Sequence, residues 1–360
     1  MDKPFYLDNH STTKVDKRVI DKMIPVFLEY FGNPHSVDHF HGLEAKKLVD
    51  ESRNAIYKIL NAKRATEIIF TSGATESNNL LIKGVFQKYN NKGKHIITSK
   101  IEHSSVMETC KYLENKFKAE VTYLDVDKNG LIDFTQLKDS LREDTILVSI
   151  MYANNEIGTI QNIKEIGEIV KESNAFFHTD AAQALGHIEI DVKEKNIDAM
   201  SFSSHKFFGP KGVGGLYLRS SRPYIKLEPL FHGGGQENGI RSGTLNVPGI
   251  VGMTEALKIA ILDREERTKN SLKEREKYIK LFEKEYGKVI INGHPTQRLP
   301  HNLNITIPDQ EAKLIINKFK EEFSFSTGSA CSSSQMKPSH VLKAIGLSDE
   351  QCYQTIRIGL

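Results

Sequence analysis

Seven short apolar runs constrain this chain more than any other feature. They lie at 67–71 (EIIFT), 95–99 (HIITS), 121–124 (VTYL), 145–152 (TILVSIMY), 175–180 (AFFHTD), 197–203 (IDAMSFS) and 214–218 (GGLYL). Runs such as ILVSIM show no alternation of apolar and polar residues, the pattern of strands covered on both faces by helices. Helical periodicity separates and precedes them. Over 43–60, Leu48, Val49, Ala55, Ile56, Ile59 and Leu60 recur on one face near a 3.6-residue period. Such strands alternating with helices predict an α/β fold on a doubly wound, mostly parallel sheet. Near residue 249 the texture changes. A charge-rich helical stretch over 251–286 precedes short strands over 288–291 and 302–307 and helices over 310–322, 338–345 and 349–356, which predicts a second, smaller α+β unit.

Composition excludes several classes. The 49 Lys and Arg against 46 Asp and Glu leave a net charge of +3, too little for a nucleic-acid surface. No apolar run reaches the ~18 residues of a membrane span, and the opening MDKPFYLDNHSTTK lacks the apolar stretch of a secretory signal. Three Cys in 360 residues make no disulfide framework. These readings lead us to expect a soluble cytoplasmic protein that binds neither nucleic acid nor membrane.

A parallel sheet places ligands beyond the carboxyl ends of its strands, so the residues after each run matter most. After EIIFT, Ser72-Gly73-Ala74-Thr75-Glu76 enters a helix. Its small residues and first-turn amides suit a phosphate. His103, after HIITS, offers a planar ring or a proton carrier. Asn154 and Asn155 follow TILVSIMY and can orient a ligand by hydrogen bonds. Asp180 closes AFFHTD, where a carboxylate needs a cation or a strong donor; a protonated pyridine nitrogen would serve. Lys206 follows MSFS between His205 and Phe207-Phe208, where partial burial favours the neutral amine of Schiff-base chemistry. Singly, these signals are weak, and the loop, the His and the Lys read more readily as a helix cap, an exposed His and a surface Lys. In this order on successive strands they form the parts of a pyridoxal 5′-phosphate site.

The segments YLDNHSTTKVD, GNPHS, TSGATESNN, EHSSV, NNEIGTIQ, HTDAAQALG, SFSSHKFFGPKGVGGLYL, HGGGQENGIRSGT, FSTGSACSSS and TIRIGL span essentially the whole chain. Through them the sequence resembles the cysteine desulfurases of the NifS/IscS type, within the class V aminotransferases of pyridoxal-phosphate fold type I. The resemblance implies an aspartate-aminotransferase-like large domain over 15–255. It also implies a small α+β domain, made of 1–14 with 256–360, that carries the catalytic Cys. Lys206 would hold the cofactor covalently. Ala74, Thr75, Ser203 and His205 would bind its phosphate, with Thr244 reaching in from the neighbouring subunit of a homodimer. His103 would stack on the ring and relay protons, Asp180 would pair with the ring nitrogen, and Gln183 would meet the phenolic oxygen. Asn155 would lie beside the cofactor and, with Arg357, hold the substrate α-carboxylate, for which a planar Arg fork is suited.

Cys331 lies among Ser326-Thr327-Gly328-Ser329-Ala330 and Ser332-Ser333-Ser334. A segment so poor in apolar surface is costly to order, so we expect an exposed thiol on a mobile loop, able to take the substrate's sulfur and carry it away. Cys110 and Cys352 fall in helical patterns and read as inert. By resemblance, L-cysteine becomes L-alanine, and the persulfide on Cys331 passes sulfur to an iron–sulfur scaffold protein or other acceptors. Cys331 would also briefly ligate a 2Fe–2S cluster shared with that scaffold. Two alternatives stay open: a selenocysteine lyase or other class V enzyme, and an impaired paralogue acting as a binding partner. Gly359 stands where the family usually has Ser, the family usually continues past this point, and Ser11 replaces a common Ala. Two other motifs are set aside. DVDKNGLID at 125–133 resembles a calcium loop but has Gln136 at the twelfth position, so we expect a strand–turn–helix. His232-Gly233-Gly234-Gly235 resembles a lipase oxyanion loop, without any G-x-S-x-G elsewhere.

Overall fold

The computed structural model describes residues 3–221, 224–327 and 337–360. After a short β1 (Phe5–Tyr6), all seven apolar runs enter one sheet: β2 (Ile68–Thr71), β3 (His95–Ser99), β4 (Glu120–Leu124), β5 (Thr145–Ser149), β6 (Phe176–Asp180), β7 (Ala199–Ser203) and β8 (Gly214–Leu218). Their order is β2-β8-β7-β6-β5-β3-β4. Neighbours from β7 to β4 pair in parallel, and β8 runs antiparallel to β2 and β7.

The absence of alternation in the sequence has the expected cause. Ile68, Phe70, Ile97, Val148 and Phe177 point into a core shared with α1 (Lys17–Leu28), α2 (Phe40–Ile59), α6 (Ile163–Lys171) and α7 (Val247–Leu262). Their strand neighbours Ile69, Ile96, Leu147 and Phe176 point to the opposite core, against α3 (Ala74–Tyr89) and α4 (Ser104–Phe117). Helices cover both faces, so both registers must be apolar. The 125–133 segment joins β4 to α5 (Phe134–Ser140) as a turn, with Asp127 Oδ1 accepting from the N–H groups of Asn129 and Leu131 at 2.9 and 2.8 Å.

The expected long helix over 251–286 is two helices. α7 is buried on nearly all sides; α8 (Arg264–Tyr286) is charged and buries only Tyr278 and Phe282 fully. They meet at Asp263, whose carboxylate takes Arg18 at 2.7 Å and Arg267 at 3.6 Å. A second, antiparallel sheet follows, in the order β12 (Ser326–Thr327), β13 (Thr355–Gly359), β10 (Asn302–Thr306) and β9 (Ile290–Ile291). β1 pairs in parallel with β11 (Phe323–Ser324), tying the start of the chain to this region. The helix expected over 349–356 ends early, at Tyr353. Thr355–Gly359 is instead a strand paired on both edges, with Ile356 and Ile358 buried beside Ile305 and Phe282. Long-range pairing of a β-branched TIRI segment outweighs local helical periodicity. No helix among the described residues is long and apolar enough to cross a membrane.

Candidate active site

A cavity of about 1230 Å³ opens beyond the carboxyl ends of the parallel strands and is closed on one side by the small sheet and its helices. It gathers Ala74, Thr75, His103, Asn155, Asp180, Gln183, Ser203, His205, Lys206 and Arg357. Thr244 is exposed and does not line it. Cys331 lies outside the described residues; Thr327 and Lys337, the described residues on either side of its segment, both line the cavity.

One end is a cradle for an anion. Gly73 caps α3 with no side-chain bond to its first turn, which leaves helix N–H groups for a ligand. Gly214 backs this turn so closely that a Cβ there would lie 2.6 Å from Gly73 Cα. Glu76, in the first turn, accepts from Ser72 N at 2.8 Å and pairs with Arg241 of the RSGT segment at 2.8 Å. His205 Nδ1 meets Thr12 Oγ1 at 3.1 Å. Burial, then the nearby Lys206 and Lys211, holds its pKa down to about 4, so the ring is a neutral hydrogen-bonding group at physiological pH.

Lys206 ends the short 3-10 turn after β7, and its Nζ donates to the carbonyls of His10 and, at 2.9 Å, Ser11. Asp180, 5% exposed at the tip of β6, accepts from Asn78 Nδ2 at 2.7 Å and Ala182 N at 2.9 Å, both neutral donors. His103 caps α4. Its Nδ1 accepts from Ser105 N at 3.1 Å, so the ring proton of the neutral form sits on Nε2. Burial lowers its pKa, Lys206 and His340 add to this, and Asp180 opposes it.

At the far end Arg357, 4% exposed in β13, reaches back into the cavity. Its Nη2 donates to Asp8 Oδ1 at 3.0 Å, Ser11 Oγ at 2.7 Å and Ser326 Oγ at 3.1 Å, and its Nη1 to the Asn155 carbonyl at 3.2 Å. A guanidinium so anchored has its plane fixed before a carboxylate arrives.

The class-V aminotransferase family profile matches residues 5–360. The chain belongs to the class-V aminotransferase family. Among its curated relatives, the cysteine desulfurase IscS of Dictyoglomus turgidum is 48% identical over 100% of this chain and 90% of its own length. That of Methanosarcina thermophila is 49% identical over 99% and 87%. Among solved structures, a NifS-like protein superposes with a TM-score of 0.90 at 39% identity, covering 99% of this chain and 93% of its own. A protein described as SspA in complex with cysteine gives 0.87 at 38% identity, covering 99% and 98%.

Class-V enzymes work with pyridoxal 5′-phosphate, and this member's donor set fits that group. A buried carboxylate held by neutral donors is matched to a pyridinium, an open helix N-terminus to a phosphate, and an amine at the cavity wall to a carbonyl. Several contributors escaped the sequence reading. Asp8, His10 and Ser11 belong to the N-terminal YLDNHSTT motif but act through contacts hundreds of residues away in the chain. Asn78 sits inside the TSGATESNN motif, on the face of α3 that meets Asp180. Glu102, beside His103, is buried with Oε1 accepting from Ser99 Oγ at 2.7 Å and Met151 N at 2.8 Å, while Oε2 has no partner among the described residues. Burial raises its pKa to about 8.

Proposed function

We propose that this protein is a pyridoxal-phosphate-dependent cysteine desulfurase that converts L-cysteine to L-alanine and leaves the sulfur as a persulfide on Cys331. One observation carries the reading most directly. The Lys206 amine, the Asp180 carboxylate, the His103 ring, the α3 cradle and the Arg357 fork share one cavity, and the segment bearing Cys331 leaves and rejoins the described chain at that cavity's wall. Similarity to full-length relatives named cysteine desulfurase supports the substrate.

In this reading Ala74, Thr75, Ser203 and His205 hold the cofactor phosphate. Asp180 holds the ring nitrogen, Gln183 the phenolic oxygen, and His103 lies against the ring. When bound, the cofactor supplies a carbonyl carbon for amines and an electron sink that acidifies the substrate Cα–H. Arg357 and Asn155 fix the substrate carboxylate and so set which bond at Cα is presented. Lys206 Nζ takes and returns the Cα proton. His103 would relay the Cys331 thiol proton: with Nδ1 held by Ser105 and a proton on Nε2, it accepts from the thiol once it has passed its own Nε2 proton to the reacting substrate, since thiolate is the nucleophile. Cys331 Sγ then bonds to the substrate sulfur, whose bond to Cβ breaks.

The same reading includes a homodimer in the cytoplasm, transfer of sulfur to an iron–sulfur scaffold protein, and a 2Fe–2S cluster briefly shared through Cys331. Thr244, exposed in one chain, would complete the partner's phosphate site. A cluster of exposed apolar residues on and after α1, among them Phe27, Leu28, Phe31 and Phe40 at 59, 71, 66 and 69% exposure, supports a covered face. The test is product analysis with cysteine. The reconstituted protein should release alanine and sulfide under reductant. Cys331→Ala should lose at least 99% of that release yet keep the cofactor's visible absorbance. Undiminished release by that variant contradicts the persulfide route.

A further inference from the structure

Among the described residues the His10 ring bonds to none of the reacting groups, yet His10 is 1% exposed and both ring nitrogens are hydrogen-bonded. The directions of those bonds can be assigned from one end. Arg298 is buried, and burial brings it to about 10, still a cation at neutral pH that can only donate. Its Nη2 lies 2.7 Å from Asn302 Oδ1 and 3.1 Å from the Ile157 carbonyl, and its Nη1 lies 3.1 Å from the Asn292 carbonyl. The Asn302 oxygen must therefore face Arg298, and its amide nitrogen must face the other way. That nitrogen donates to the Glu156 carbonyl and, at 3.0 Å, to His10 Nε2. Because Nε2 accepts, the proton of neutral His10 sits on Nδ1, 3.0 Å from Gln183 Oε1. The Gln183 oxygen is thus turned to His10, and Gln183 Nε2 donates one N–H to the His10 carbonyl at 3.0 Å. A second N–H remains on a side chain that lines the cavity.

Resting on the pyridoxal reading of the cavity, we propose that His10 is a positioning residue: held by Arg298 and Asn302, it fixes the Gln183 amide so that an N–H, rather than the carbonyl oxygen, meets the cofactor's phenolic oxygen. The surroundings keep the arrangement in one state. The His10 ring stacks on His301 at 4.8 Å, and His301 on His187 at 4.1 Å. Burial, with Arg357, Lys206 and His187 nearby and only the Gln183 bond opposing, holds His10 down to about 3. It therefore stays neutral over the working range, and its Nε2 remains an acceptor. The His10 carbonyl accepts from both Gln183 and Lys206, so one residue orients the amide and seats the amine. The polarity is set in the small sheet, at Asn302 of β10, and delivered to the edge of the large one.

A donor at the phenolic oxygen draws charge from it and weakens its hold on the proton of the adjacent lysine-bound nitrogen. The readout is the pH midpoint of the visible absorbance of the reconstituted, substrate-free enzyme. His10→Leu should raise that midpoint by about one unit, a tenfold change in the protonation equilibrium. Gln183→Leu should raise it similarly, and the double variant no further, because both remove one device. His10→Asn keeps a donor near the Nδ1 position and should return the midpoint toward wild type. An unmoved midpoint in His10→Leu beside a moved one in Gln183→Leu overturns the proposal, as does additivity in the double variant. Should His10→Leu not fold, Asn302→Ala breaks the chain one step earlier, with the same upward shift expected and no shift counting against. A wild-type protein that takes up no cofactor sinks the functional reading instead, so the two failures are distinct.

Discussion

The large and small sheets supply the cavity in different ways. On the large sheet each contributor follows the carboxyl end of its own strand: Ala74 after β2, His103 after β3, Asp180 at the tip of β6, Lys206 after β7. These groups are set by local geometry, a strand ending and a turn or helix beginning. On the small sheet Arg357 projects from the middle of β13 and is held by Asp8, Ser11, Ser326 and the Asn155 carbonyl, which come from three separate segments. Asn302 likewise works through His10, 292 positions away. One edge is built for chemistry at fixed points; the other is a buried polar network that gives those points their orientation. In such a network each group depends on its neighbours being satisfied.

The sharpest way to break this contrast is at the large-sheet edge. Lys206→Ala should abolish turnover, with a loss of at least 1000-fold in alanine formation, because no other described side chain takes its place at the end of β7. Its circular dichroism should stay native. Arg357→Lys tests the other edge. Lys keeps the charge but loses the planar fork, so kcat/KM for cysteine should fall roughly 100-fold, about 3 kcal/mol, on the scale of a truncated buried charge pair. The loss should lie mainly in KM. An equal loss in kcat would assign Arg357 to the chemistry and erase the distinction between the edges.

A smaller effect concerns pH. Burial raises Glu102 to about 8 in the fold, against about 4.5 for a free carboxyl. Its stabilising, protonated form is fully present below the free value, so folding stability should fall as pH rises from about 5 toward 8. Glu102→Gln should flatten that fall and melt a few degrees higher than wild type at pH 8; identical melting profiles would contradict the burial argument. Burial holds the His103 pKa below that of a free imidazole, so the ring protonates only at more acidic pH than a free imidazole does. The acidic limb of activity should therefore lie below the free-imidazole value and change in His103→Gln. The smallest effect belongs to Ser11→Ala, which removes one of several partners of Arg357. A net hydrogen bond of about 1 kcal/mol translates to a KM change of roughly five-fold.

The same contrast explains what the sequence revealed. The seven strands and the residues that follow them were legible because burial on both faces writes an unbroken apolar run, and because the turn after a strand is written in adjacent residues. The start of the strand Thr355–Gly359 read as the end of a helix over 349–356 because its pairing partners lie at 302–306 and 326–327; nothing local announces them. Asp8, His10 and Glu102 were missed for the same reason. Their roles come from long-range contacts and from burial, and a lone His or Glu carries no mark of its tautomer or its proton. Arg357 was reached only through family resemblance, and the structure places it in the same cavity as Lys206.

The central claim is that the amine at the end of β7 is the covalent seat of the cofactor. Borohydride reduction of the pyridoxal-phosphate-reconstituted protein, followed by peptide mass mapping, tests it in one step. The account predicts a single reduced adduct on the peptide containing Lys206, with none in Lys206→Ala. An adduct on another lysine, or none on the wild-type protein, would contradict it.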